Sequence, residues 1–105
     1  MTSIGAKSGL PRTTPVGYRR DGERYVIVGS NSGRAEHPAW LANILANPIV
    51  SLEVGQETLR ARARVTKGAE RRRLLDAYIA AIPIFGDYER KAARELPVVV
   101  LERIG

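Results

Sequence analysis

The 105-residue chain has no cysteine and a single histidine, His37. The first absence excludes disulfides, a thiol nucleophile and thiolate metal sites, and suits a reducing cytosol. With only one histidine, a multi-histidine metal centre is excluded too, so no metal is expected. No apolar run approaches the ~20 residues a membrane span needs, and the N-terminus lacks the charged-then-apolar pattern of a secretory signal. The chain therefore reads as cytoplasmic, with no integral membrane segment. Aromatic residues make up 6% of the chain, and none stands among the arginines of its densest basic stretch. That removes the stacking platform used to grip single-stranded nucleic acid, which is not expected as a partner.

What is present suffices for one core and not two, so residues 1–105 read as a single domain. Seventeen Lys and Arg against eleven Asp and Glu leave a net charge of +6, unevenly placed. Residues 1–35 carry a local +4 and residues 60–73 a local +6, whereas residues 36–59 hold three acids and no Lys or Arg. Such a surplus suits an anionic partner, whether a nucleic acid, a membrane surface or a phosphorylated small molecule.

Thr13 to Arg20 and Arg24 to Ser30 are extended runs joined by Asp21-Gly22, a hairpin signal. Within the second, Tyr25-Val26-Ile27-Val28 is continuously apolar, as in a strand buried on both faces. Pro38 can open a helix that Asn47-Pro48 closes, with Trp40, Leu41, Ile44 and Leu45 at helical spacing. Ile49 to Val54 and Thr58 to Thr66 form a second hairpin around Gly55-Gln56. In the latter strand Leu59, Ala61, Ala63 and Val65 take one face, and Arg60, Arg62 and Arg64 the other. A helix over 69–82 carries Leu74, Leu75, Tyr78 and Ile79 as its apolar stripe and ends at Pro83. A shorter helix over 87–94 and a strand over 97–101 complete the pattern. Five strands with helices inserted between hairpins predict an α+β fold built on a small antiparallel barrel. Only Met1 to Ile4 precede the glycine-rich segment, so the sheet either starts abruptly or is completed by a second chain, as in a homodimer.

Three segments could carry chemistry. Gly5-Ala6-Lys7-Ser8-Gly9-Leu10-Pro11-Arg12-Thr13-Thr14-Pro15 offers tight turns, backbone N–H groups and cationic donors to an anion, without matching a Walker A loop. Ser30-Asn31-Ser32-Gly33 and His37-Pro38-Ala39-Trp40 set small polar groups and a tryptophan at a strand end, where a planar heterocycle could lie. Trp40 alone reads first as core, and His37 reads as a surface or capping residue. Tyr78, Ile82, Phe85 and Tyr88 surround a Pro/Gly corner that could form the mouth of an apolar pocket or simply pack.

Taken in order, Gly5-x-Lys7-Ser8-Gly9-x-Pro11-Arg12-x-x-Pro15, Asp21-Gly22, Ser30-Asn31-x-Gly33, His37-Pro38-x-Trp40-x-x-Asn43, Ala46-Asn47-Pro48, Pro83-x-x-x-Asp87-Tyr88 and Pro97-Val98-Val99-Val100-Leu101-Glu102 resemble the deazaflavin-dependent nitroreductase and quinone reductase family. The resemblance implies a split β-barrel and coenzyme F420 as cofactor, with flavin mononucleotide a less favoured alternative. It implies an enzyme moving hydride from the reduced deazaflavin to a quinone or nitroaromatic acceptor; a non-catalytic deazaflavin carrier is the rival. By the same resemblance Ala6, Lys7, Ser8 and Arg12 meet the phosphate and oligoglutamate tail. Thr13, Thr14, Pro15, Val16, Gly17, Val28, Gly29, Ser30, Asn31, Ala39, Trp40, Leu41, Ala42 and Asn43 surround the ring and ribityl chain. Phe85 and Tyr88 face ring and substrate, and Ser30 and Tyr88 are the catalytic candidates. Two departures stand out: Ile82 and Phe85 occupy positions where relatives carry tyrosines, and the family's N-terminal helix is absent.

Overall fold

A computed structural model describes residues 1–104. Seven strands, β1 (Thr2–Ile4), β2 (Pro11–Thr13), β3 (Arg19–Asp21), β4 (Arg24–Val28), β5 (Ile49–Val54), β6 (Glu57–Val65) and β7 (Val98–Arg103), form one sheet in the order β2-β1-β5-β6-β7-β4-β3. Every pairing is antiparallel. Three helices, α1 (Ala39–Ala46), α2 (Gly68–Ala81) and α3 (Ile84–Ala92), are inserted between strands.

Alternation along the strands sends side chains to two separate cores. Tyr25, Ile27, Val99 and Leu101 point to one, with Val50, Leu52, Leu59 and Ala61 and the α1 residues Trp40, Leu41 and Ile44. Val26, Val28, Val98 and Val100 point to the other, covered by Leu74, Leu75 and Tyr78 of α2, with Ala92 and Leu96 beyond. The apolar run at 25–28 is thus buried on both faces, as its composition predicts. In β6, Arg60, Arg62 and Arg64 are exposed while Leu59 and Ala61 are buried.

Four details differ from the sequence expectation. Seven strands replace five, because β1 and β2 are three-residue pieces with no apolar period to reveal them. The extended run at 13–20 contributes only Arg19–Asp21 to the sheet; residues 14–17 line a groove, and Pro15 has no N–H to give a ladder. Helix α3 begins at Ile84, earlier than Asp87, because Pro83 is itself helical (φ −59°, ψ −24°) and proline is compatible with a first turn. It stops at Ala92 because Ala93 is left-handed, at φ 52°. Finally, β1 is not an edge awaiting a second chain. The glycine-rich loop turns back through Gly5 N–H to Leu10 O (2.8 Å) and Gly9 N–H to Gly5 O (2.9 Å), and β2 pairs with β1.

Candidate active site

Four stretches distant in sequence converge on a groove of about 510 Å³. Thr14, Pro15, Val16 and Gly17 come from the β2–β3 connection, and Ile27, Val28, Ser30, Asn31 and Ser32 from the end of β4 and its exit loop. Pro38, Ala39 and Trp40 come from the start of α1, and Tyr78, Phe85 and Tyr88 from α2 and α3. The three aromatics form an edge-to-face ladder, with ring centroids 4.7 Å apart for Tyr78–Phe85 and 5.3 Å for Phe85–Tyr88. Burial pushes the Tyr78 phenol above its ordinary range, and the charge of Arg19 partly offsets the rise. The phenol therefore stays protonated at neutral pH.

The exit loop of β4 is bent into an uncommon shape. Asn31, Ser32 and Gly33 are consecutively left-handed, at φ 47°, 56° and 78°. Non-glycine residues resist this region by about 1–2 kcal/mol each. The loop is held by Gly33 N–H to Ser30 O (2.9 Å), by Asn31 Nδ2–H to Glu36 O (3.1 Å), and above all by Arg94. The Arg94 guanidinium donates to Ser30 O (3.1 Å), Arg34 O (3.0 Å), Glu36 O (3.0 Å) and Gly29 O (3.3 Å), and meets His37 Nδ1 at 3.0 Å. His37 is thus a surface partner of a structural arginine. Arg94 shapes the groove without lining it.

A second groove of about 360 Å³ is lined by Gly5, Ala6, Lys7, Ser8 and Arg12 of the glycine-rich hairpin and by Ala39, Ala42 and Asn43 of α1. Ala39 belongs to both grooves, so they adjoin at the first turn of α1. The loop is fastened to the helix by Ala6 N–H donating to Asn43 Oδ1 (3.0 Å), which occupies that amide. Gly5 fits tightly here: a Cβ would sit 2.5 Å from Ser8 Oγ, which would have to turn away, and 3.3 Å from Leu10 O. Lys7 and Arg12 are exposed, and neither forms an ion pair among the described residues.

Most of the expected binding residues line one groove or the other. Thr13, Gly29 and Leu41 line neither. Thr13 pairs in β2, Gly29 packs against Pro97 with its N–H bonded to Pro97 O, and Leu41 lies in the first core. Ile27 was not anticipated as lining, since a doubly buried strand gives no sign that one end opens onto a cleft. The basic stretch at 60–73 proves largely compensated: Arg64 pairs with Glu70 (2.7 Å) and Glu102 (3.3 Å), Arg72 with Asp76 (2.6 Å) and Glu89 (3.0 Å), and Arg73 with Asp21 (3.4 Å). Arg71 is buried, donating to Leu96 O at 2.8 and 3.0 Å.

A family model described as F420H(2)-dependent quinone reductase matches residues 1–103. The chain belongs to that family. An F420H(2)-dependent quinone reductase of Mycobacterium tuberculosis, Rv1261c, is 35% identical over 111 residues, covering 98% of this chain and 71% of its own length. A solved structure titled as an F420-H2 dependent reductase, FDR-A, superposes with a TM-score of 0.87 at 35% identity, covering 96% of this chain and 90% of that one. Another, described as a domain-swapped dimer, gives 0.88 at 35% identity, with 96% and 76% coverage. The fold is the antiparallel split barrel of these F420-dependent reductases, the protein is an F420H2-dependent reductase, and its cofactor is coenzyme F420. The residues present fit that cofactor: a mixed aromatic and polar groove of small-molecule size adjoins a second groove bearing unpaired cations. Among the described residues no helix is long and apolar enough to cross a membrane, and no three or more His, Cys, Asp or Glu side chains cluster as metal ligands would.

Proposed function

We propose that this reductase holds the deazaflavin ring in the larger groove and the anionic tail in the smaller one, and that its acceptor is a quinone. The observation that carries the assignment is the junction at Ala39, where the two grooves meet. Trp40, Phe85 and the backbone of residues 14–17 suit a flat heterocycle, while Lys7 and Arg12 suit phosphate and carboxylates. Bound there, the reduced cofactor supplies a hydride, both electrons moving together. The chain's task is alignment and exclusion of water. Ser30 and Asn31 offer polar contacts at the ring, and Tyr88 narrows the mouth. A planar nitroaromatic acceptor fits the same groove. The exposed strand β2, at one edge of the sheet, offers a surface for a second copy of the chain, and the absence of cysteine suits a cytoplasmic site of action.

The test is a fluorescence titration with coenzyme F420 and with flavin mononucleotide, side by side with quinone-dependent oxidation of the reduced deazaflavin. Since Lys7 and Arg12 are exposed, each replacement by alanine should weaken F420 binding by about 1 kcal/mol, roughly fivefold, with the loss shrinking as salt rises. Arg60→Gln with Arg62→Gln, on the far side of the sheet, should leave affinity unchanged. Unaltered affinity in the Lys7→Ala/Arg12→Ala double variant, or tighter binding of flavin mononucleotide by the wild type, would refute the tail assignment.

A further inference from the structure

We infer that the Tyr78 hydroxyl is the proton donor to the acceptor oxygen in the larger groove, an inference that rests on the quinone reductase reading above. Tyr78 is only 2% exposed, and its ring is fixed edge-on against Phe85 and packed in the helix-covered core. Its hydroxyl nevertheless makes no hydrogen bond with any described residue. Every side-chain N or O that is fully sealed from solvent does have a partner, so this hydroxyl keeps an opening. Tyr78 lines the larger groove and also a small cavity of about 60 Å³ beside Arg19 and Leu74. The position a Cβ would take at Gly17, which lines the larger groove and not the small cavity, lies 3.7 Å from the hydroxyl oxygen and sets it at the groove. An unpartnered phenol in so buried a place is costly unless something bound there completes it. The missing partner is an acceptor atom, because the phenol is protonated and has a proton to give.

Five hydroxyl side chains line this groove, and their chemistry separates them. Thr14, Ser30 and Ser32 carry alkyl hydroxyls, far weaker acids than a hydroquinone, and Ser30, itself buried, serves as an orienting contact. Tyr88 is half-buried, so its hydroxyl is less desolvated than that of Tyr78. Only Tyr78 combines phenolic acidity, matched to that of a hydroquinone, with desolvation. The step balances. The quinone gains a hydride, supplied by the established activity, and a proton from Tyr78. The tyrosine O–H bond breaks as the O–H bond on the quinone oxygen forms, and the tyrosinate recovers its proton from water. The product is the hydroquinone.

Tyr78→Phe tests this, since it keeps the ring and removes only an unbonded hydroxyl. F420 titration should match the wild type and Tm should be equal or slightly higher, since no hydrogen bond is lost, whereas a structural role for the hydroxyl would lower it. Steady-state rates are then measured over a series of quinones whose hydroquinones differ in acidity. For the weakest acids kcat should fall by about a hundredfold with KM nearly constant, and the loss should shrink steadily as the hydroquinone becomes more acidic. Replacing Tyr78 by 3-fluorotyrosine, a stronger acid of nearly the same shape, should retain activity and flatten the wild-type dependence on hydroquinone acidity. Equal kcat in Tyr78→Phe and wild type, or a loss uniform across the series, overturns the inference while leaving the quinone reading intact. Absence of quinone turnover by the wild type overturns that reading, and this inference with it.

Discussion

Replacing Arg94 by alanine should damage the groove from outside it. The guanidinium reaches Gly29 O, Ser30 O, Arg34 O, Glu36 O and His37 Nδ1. The acceptors on Arg34, Glu36 and His37 are exposed, and water can replace the arginine there at little net cost. The carbonyls of Gly29 and Ser30 are partly buried, and each should lose about 1–2 kcal/mol when left short of a charged donor. Against this, the left-handed backbone at Asn31 and Ser32 can relax once released, recovering about 1 kcal/mol. The net expectation is a destabilisation of about 1–3 kcal/mol, roughly a 10 °C fall in Tm at the middle of that range for a chain of this size. Urea unfolding should show a lower midpoint with an unchanged slope. Hydrogen exchange should quicken at residues 29–37 before it does in β4 or β7, and F420 binding should weaken because the loop lines the ring groove. Arg94→Lys should recover less than half of the loss, since one ammonium cannot span five acceptors. Wild-type stability together with wild-type exchange in this loop would refute the assignment of Arg94 as its clamp.

Two further outcomes follow from other parts of the molecule. At Gly33 (φ +78°) a Cβ would lie 3.2 Å from Tyr88 Cα and 3.1 Å from Lys91 Cδ, whereas at Gly9 (φ +69°) it would meet nothing within 4 Å. Gly33→Ala should therefore cost about 1 kcal/mol or more beyond the similar backbone strain of Gly9→Ala, read as the difference between two denaturation midpoints. Hydrogen bonds from Arg24 and Arg73 hold the Asp21 carboxyl below its usual range, and those from Arg64 do the same for Glu70. Carboxyls depressed in the folded state contribute stability that is complete above about pH 4–5 and is lost as the pH falls through their folded values. Tm should be flat from pH 7 to about pH 5 and then decline, with a shallower decline in Asp21→Asn/Glu70→Gln; an acid slope unchanged in that variant would refute the role of these pairs.

Much of the scaffold was legible because its signals are local. Asp21-Gly22 and Gly55-Gln56 mark hairpins by turn chemistry, Pro38 and Asn47-Pro48 bracket α1, and the unbroken Tyr25–Val28 run marks a strand between two layers. Most residues that line the two grooves fall in the runs of glycines, small polar residues and cations on which the resemblance rests. What stayed hidden depends on distant partners. Arg94 sits in an ordinary charged helix terminus, and its acceptors lie 57 to 65 residues away. Arg71 reads as one of three surface arginines until a carbonyl 25 residues on draws it inside. Tyr78 falls on the apolar stripe of α2, and periodicity cannot tell that its far end opens on a cleft.

Strand β7 lies between β6 and β4, and these two have no other hydrogen-bonded link. The hairpins β3–β4 and β5–β6 can each close early, from neighbouring residues, yet they stay unconnected until residues 98–103 arrive. On the ribosome those residues emerge after everything they join. A nascent chain halted at α3 would present two apolar hairpins with open edges and nothing to seat between them, a species more open to chaperones and to sticking than to its cofactor. Capture of the deazaflavin therefore waits on the arrival of a single valine-rich strand.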